Sequence, residues 1–320
     1  MGSILIVDES PAAESMQVVL GERSHHCVAV HDREAAETAL KERPIDLLIE
    51  KIHDKTEDFK IFDLAKKIRP ACEGIAILPN SLEEYFPELL TRDFPHNFAA
   101  DNHPVNPLEL VATAEKLLNR DIFGLSKYEI QPEATLELAS SKEKYPSIER
   151  VRDFFLGHGV SERIVRNIEL ILNELLMNAI FDAPVAADGN RPYSNTDRSE
   201  SFEIQAGKRP SLSYGISPDY LAVSVSDPYG SLSKKTFFSY LNRCFSERSV
   251  LETVGKGAGM GLFLIFKSLD QMVINVAAGK KTEVIALLDH RASLGELKRR
   301  HHSFHFFDID QSKTGKEKSP

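Results

Sequence analysis

Glu174-Leu-Leu-Met-Asn178 lies inside a run from Ser161 to about Ile180 in which Ile164, Ile168, Ile171, Leu172, Leu175 and Ala179 recur at the spacing of one helical face. Ser161 suits the N-cap, where a side-chain oxygen accepts from an otherwise unpaired amide of the first turn. Glu174 and Asn178 are four apart, so they are neighbours at the margin of the apolar stripe. A carboxylate beside an amide suits a magnesium nucleotide. The amide oxygen is a hard ligand, and the carboxylate can take a proton from an attacking hydroxyl or water. A solvated helix flank carries the same pair, so the choice between them rests on the other stretches of the chain.

Two of those stretches bear on it. In Val223-Ser-Val-Ser-Asp227-Pro-Tyr-Gly230 an alternating apolar run ends in a carboxylate and a turn residue. Further on, Gly255, Gly257, Gly259 and Gly261 precede Leu262-Phe-Leu-Ile-Phe266, an apolar run that fits a buried helix start. Without Cβ atoms the glycine backbone can approach phosphate closely, and free N–H groups with a helix dipole favour an anion there. Lys256 adds a positive charge. A dinucleotide-binding loop would need a strand just before the glycines, and Ser246-Glu-Arg-Ser-Val-Leu-Glu-Thr253 does not read as one.

In this order the three pieces resemble those of GHKL-type ATPases, the group that includes histidine-kinase catalytic domains and anti-sigma-factor serine kinases. Glu174 to Asn178 resembles the N-box, Asp227 to Gly230 the first glycine box, and Gly257 to Gly261 the second. With Ala134 to Leu138 as a first strand and helices over Pro146 to Gly157 and Ser161 to Ala183, the similarity covers about residues 134–289 and is to the serine-kinase branch. The resemblance implies an α/β two-layer sandwich that binds ATP and Mg2+. It makes Glu174 the catalytic base and Asn178 the magnesium ligand, and has Asp227 read the adenine amino group. Gly230, Lys256, Gly257, Gly259, Met260 and Gly261 line the nucleotide. Two departures stand out: Pro228 and Tyr229 displace the first-box glycine by one, and Asp182 stands where the family often has a basic side chain or histidine. Val185 to Ser201 reads as a long inserted loop that covers the pocket or docks a partner. Phe237, Phe238, Leu241 and Phe245, flanked by Lys234, Lys235, Arg243 and Arg248, have helical spacing and read equally as a packed helix or a lid.

The N-terminal third alternates apolar runs with helical patterns. Ile4–Val7, Cys27–Val30, Ile45–Ile49, Ile75–Leu78 and Asn97–Ala100 predict strands, and Ala12–Glu22, Arg33–Arg43, Asp58–Arg69, Leu82–Thr91 and Pro107–Asn119 predict helices. Such repeats imply a five-stranded parallel sheet of flavodoxin-like type, covered on both faces, with any ligand at the carboxyl ends of the strands. Asp8 and Glu9 stand at the first of those ends, and the region resembles a two-component receiver domain over residues 1–122. The phosphoacceptor position closing the third strand holds Glu50 or Lys51, Pro79 replaces the usual hydroxyl residue, and His103 the usual lysine. These changes imply a pseudoreceiver, a docking or dimerisation module, with Asp8, Glu9 and Glu50 as its acidic site.

A chain of 320 residues accommodates about two domains, each able to form its own core. The expected division is 1–122 receiver-like, 123–133 linker, 134–290 ATPase-like and 291–320 tail, with 311–320 disordered and the histidines at 301, 302 and 305 in a flexible segment. A net charge of −9 disfavours general nucleic-acid affinity. No apolar run is long enough to span a membrane, and Cys27, Cys72 and Cys244 lack metal-site spacing, as expected of a cytoplasmic protein. The reading is therefore a bacterial signalling regulator that binds ATP and magnesium and phosphorylates serine or threonine on a protein partner. The resemblance makes that partner an anti-anti-sigma-like substrate, a sigma factor or another signalling protein, with a homodimer as a further option. The alternative is a non-catalytic interaction regulator, with or without nucleotide.

Overall fold

A computed structural model describes residues 2–54, 56–92, 94–101, 105–186, 188–246, 265–291 and 300–309. The chain forms two compact units, one from residues 1–122 with 301–307 and the other from 123–300 with 308–320.

In the first unit β1 (Ser3–Val7), β2 (His26–Val30), β3 (Leu47–Lys51), β4 (Glu73–Leu78) and β5 (Asn97–Ala100) form a parallel sheet in the order β2-β1-β3-β4-β5. This is the doubly wound order of flavodoxin-like sheets. β1, β3, β4 and β5 read as nearly unbroken apolar runs because helices cover both faces and successive residues of either orientation are buried, whereas the edge strand β2 is only partly buried. Ile4, Ile6, Leu47, Ile49, Ile75 and Ile77 pack on α1 (Ala12–Gly21) and α5 (Pro107–Asn119), whereas α2 (Arg33–Glu42) and α3 (Phe59–Ile68) contact each other. Helix starts follow the capping residues: Asp32 accepts from Ala35 N at 2.7 Å, and Asn106 from Leu108 and Glu109 N. The expected helix over 82–91 is a 3-10 turn, Leu82–Tyr85, continued by α4 (Phe86–Thr91), with Pro87 in its first turn.

The second unit has an antiparallel sheet in the order β9-β10-β8-β7-β6, from β6 (Ala134–Glu137), β7 (Ser211–Ile216), β8 (Tyr220–Asp227), β9 (Gln271–Ala277) and β10 (Lys281–Asp289). Helices α6 (Lys144–Gly157) and α7 (Glu162–Met177) pack together, and α7 lies on β8. The apolar stripe expected of α7 is buried through Ile164, Ile168, Ile171, Leu172 and Leu175, and Ser161 caps it by accepting from Ile164 N. A further helix, α8 (Lys234–Ser246), follows β8, with Phe237, Phe238 and Leu241 buried.

Three expectations are corrected. The helix predicted to run through Ala183 ends at Met177 and widens into a π-turn, Asn178–Asp182, closed by Ala183 N donating to Asn178 O at 2.7 Å. The 123–133 segment is not a free linker: Leu125, Tyr128 and Ile130 are buried, and the Gly124 amide donates to Glu283. The tail predicted from 291 contains β11 (Ser303–Ile309), which pairs antiparallel with β5 through Phe304↔Phe98 and His305↔Asn97. His305 is fully buried, its Nε2 2.9 Å from the Glu109 carboxylate, and Phe304, Phe306 and Phe307 are buried beside it. Apolar burial and ladder hydrogen bonds outweigh the polar composition around these residues.

Candidate functional site

Helix α7 and the π-turn that follows it bring Glu174 and Asn178 to one flank, each half-buried, where the apolar stripe gives way to solvent. Among the described residues the Asn178 side chain makes no hydrogen bond, while its carbonyl closes the π-turn. Such single π-turns inside helices recur at functional sites because the wider turn re-aims the side chains it carries. Beside this pair the buried Lys144 directs its Nζ to Asn173 Oδ1 at 3.0 Å and Met177 Sδ at 3.1 Å. Asn173 in turn reaches Glu174 Oε1 at 3.4 Å. Lys144 is a charge near the site that a helix start on Pro146 hides from sequence reading.

The second wall stands at the end of β8. Asp227 is buried, and its carboxyl is pushed up to about 6 by loss of hydration, against hydrogen bonds from the Tyr229 and Gly230 amides and from Thr282, and the nearby Arg191. Its Oδ1 accepts from Tyr229 N at 2.9 Å. Thr282 is the cross-strand partner of Asp227 on β10. The Thr282 hydroxyl is buried beside the carboxylate without a hydrogen bond of good geometry. A buried carboxylate with a hydroxyl beside it presents acceptor atoms that suit an exocyclic amine of a base, which supplies donors. Sequence reading missed Thr282 because only the β8–β10 register sets it opposite Asp227.

Two contacts tie the walls together. Ser231 Oγ donates to Ala183 O at 3.1 Å, joining the turn after β8 to the end of the π-turn. Arg191 donates to Asp182 O. The inserted segment thereby sets a guanidinium beside the end of the π-turn. Gly230, at φ 59°, is packed against the β9–β10 turn at Ala277 and Gly279, so its missing Cβ serves that close approach. Lys256, Gly257, Gly259, Met260 and Gly261 lie outside the described residues, as does His103.

In the first unit the acidic site is divided. Asp8 is buried, with Oδ1 accepting from Ser10 N at 2.9 Å, while Glu9 is exposed. Glu50 pairs in register with Val7, which puts it beside Asp8. Asp8 Oδ2 and Glu50 Oε2 are buried without hydrogen-bond partners among the described residues. Burial first, then Asp58 and Asp8, raise the Glu50 carboxyl to about 9 against the pull of Arg33, so it is neutral at pH 7. The residue that closes β3 is Lys51, whose Nζ is 2.9 Å from the buried Asp101 carboxylate just after β5. Among the described residues no group of three His, Cys, Asp or Glu side chains is arranged to hold a metal ion.

A raised carboxyl has a definite pH signature. The folded state keeps a proton on Glu50 that the unfolded chain releases above about 4.5, so its contribution is complete below that pH and is lost progressively up to about 9. Replacing Glu50 by Gln should therefore raise stability at pH 8 by roughly 1–3 kcal/mol and leave it nearly unchanged at pH 5. Thermal midpoints of both proteins across that range check this: a gap that does not widen with pH would contradict it.

No family model and no curated protein matches the chain. Solved structures that resemble its N-terminal part are receivers. A response regulator from Thermotoga maritima is 13% identical, with a TM-score of 0.34 over 37% of this chain and 98% of its own. A CheY-like receiver domain protein from Methanospirillum hungatei JF-1 is 23% identical, with a TM-score of 0.32 over 39% of this chain and 99% of its own. The signal receiver domain of an HD domain-containing protein from Pseudomonas fluorescens Pf-5 is 17% identical, with a TM-score of 0.34 over 37% of this chain and 95% of its own. Among the described residues, no helix is long and apolar enough to cross a membrane.

Proposed function

We propose that the protein is a signalling regulator whose second unit binds ATP with magnesium and passes the γ-phosphate to a serine or threonine hydroxyl of a partner protein. The observation that carries this reading is the buried Asp227 carboxylate with the buried Thr282 hydroxyl opposite it, next to a turn held to the π-turn that begins at Asn178. Asp227 and Thr282 would hold the base, and the Asn178 amide oxygen would take the magnesium ion. Glu174 would draw the proton from the acceptor hydroxyl. ATP supplies the transferable phosphoryl group.

The test is nucleotide titration of the full chain. ATP binding should weaken by roughly 1–3 kcal/mol on replacing Asp227 with Ala, because a buried hydrogen bond to the base is lost. It should also weaken on removing magnesium. Equal affinity in parent and variant would mean that the base lies elsewhere.

In the same reading the first unit is a docking module that carries no phosphate switch. Its support is the Lys51–Asp101 pair, which leaves an ammonium where a nucleophilic carboxylate would be required. Incubation of the full chain with acetyl phosphate and magnesium should leave its mass unchanged. Phosphate found on residues 1–122 would overturn this.

A further inference from the structure

Between the π-turn and β7 lie 28 residues (183–210), of which the described ones form no helix or ladder strand yet pack closely. Loops of this length without their own secondary structure are uncommon in compact domains and usually functional. Tyr193 stacks on Phe202 at 4.5 Å with the rings 9° from parallel, and Phe181 meets Phe202 edge-on at 5.6 Å. Arg198 pairs with Asp182 at 2.8 Å and lies over the Phe181 ring. Ser141 and Ala139 hydrogen-bond the backbone at Glu200, Phe202 and Ile204.

This packing leaves a cavity of about 240 Å³ open to solvent. Ile180, Tyr193, Phe202 and Tyr229 contribute apolar and aromatic wall, and Gln205 and Lys208 contribute polar groups. The Lys208 ammonium lies 5.0 Å from the centre of the Tyr229 ring, so one aromatic wall carries a cation at its face. Burial, Tyr193 and Asp227 raise the Tyr229 phenol, which therefore stays a neutral hydrogen-bond donor at neutral pH. A cavity of about 150 Å³ holds one benzene ring. The space here takes a ring and a small polar substituent.

We propose that this cavity is a binding site for a small, single-ring aromatic carboxylate, with the ring among Tyr193, Phe202 and Tyr229 and the carboxylate on Lys208. Aromatic faces favour a planar ring over a saturated one of the same size. The exposed ammonium and the Gln205 amide favour an anionic substituent over a neutral one. Ligand sites of this kind combine an apolar lining with a few convergent polar groups. The inference uses neither the glycine loop nor Glu174, so it stands or falls separately from the nucleotide reading.

Sodium benzoate is the probe, titrated into the full chain and followed by saturation-transfer NMR, with benzamide and cyclohexanecarboxylate as comparators. The expected result is saturable benzoate binding with Kd around 1 mM or tighter. Both comparators should bind at least about tenfold more weakly, as should benzoate to the Lys208→Met variant. Lys208 is exposed, so the variant should keep the parent's thermal midpoint. Tyr193→Phe, which preserves the stack on Phe202, should retain the ring preference. Absence of saturable benzoate binding would overturn the proposal, and so would equal binding of the comparators or of the Lys208→Met variant.

Discussion

Replacing Glu174 with Gln should leave ATP affinity intact and reduce transfer of phosphate to the partner by ~10²–10⁴-fold, the range expected when a general base is removed. Glutamine keeps the size and the hydrogen-bonding reach of the side chain. Only basicity is lost. Glu174 is half-buried on the flank of α7, with Asn173 as its neighbour, so the substitution leaves the helix packing undisturbed. The acceptor can be sought by capture on the ATP-loaded protein and assayed with labelled ATP. Unimpaired transfer by the variant would remove Glu174 as the base. No transfer by the parent, with nucleotide still bound, would favour the non-catalytic regulator. Lost folding or lost affinity in the variant would make the side chain structural.

Replacing Glu283 with Ala should destabilise the protein by about 3–5 kcal/mol, a large part of what a domain of ordinary stability possesses. Glu283 projects from β10 into the interior, where its carboxylate accepts from Ser224 Oγ at 2.9 Å, Asn275 Nδ2 at 2.8 Å and Gly124 N at 2.9 Å. Three donors from three parts of the chain converge on one buried acceptor. Truncation removes these bonds from the interior and leaves a cavity as well. Glu283→Gln keeps the volume and one acceptor oxygen, so its loss should be smaller, about 1–2 kcal/mol. Urea unfolding of the full chain followed by far-ultraviolet circular dichroism measures both. An Ala variant within about 0.5 kcal/mol of the parent would show that water enters and satisfies the donors.

The same network explains why the 123–133 segment misleads as a sequence. Gly124 to Glu133 has the polar, proline-containing character of a linker. Its attachment is made by Glu283, some 160 positions away, and by the burial of Leu125, Tyr128 and Ile130. Neither partner can be inferred from the segment itself. The inserted loop is a similar case, since its polar composition conceals a stacked pair, Tyr193 and Phe202, and a cavity beside it.

The amino-acid sequence alone determined those features that depend on neighbours a few positions apart. The five parallel strands of the first unit are readable as short apolar runs set between helical patterns, and α7 is readable because its stripe and its Ser161 cap obey local periodicity. Asp227 is identified as the end of a strand for the same reason. Tertiary structure alone decided what depends on register and on distant pairing. It set Thr282 opposite Asp227, and it made Lys51, rather than Glu50, the residue that closes β3 and binds Asp101. It also converted 303–309 from an apparent tail into a strand on β5. A sheet edge is satisfied by whichever distant segment supplies matching donors, acceptors and apolar side chains. The energy of that match belongs to the pair and leaves little trace in either segment alone.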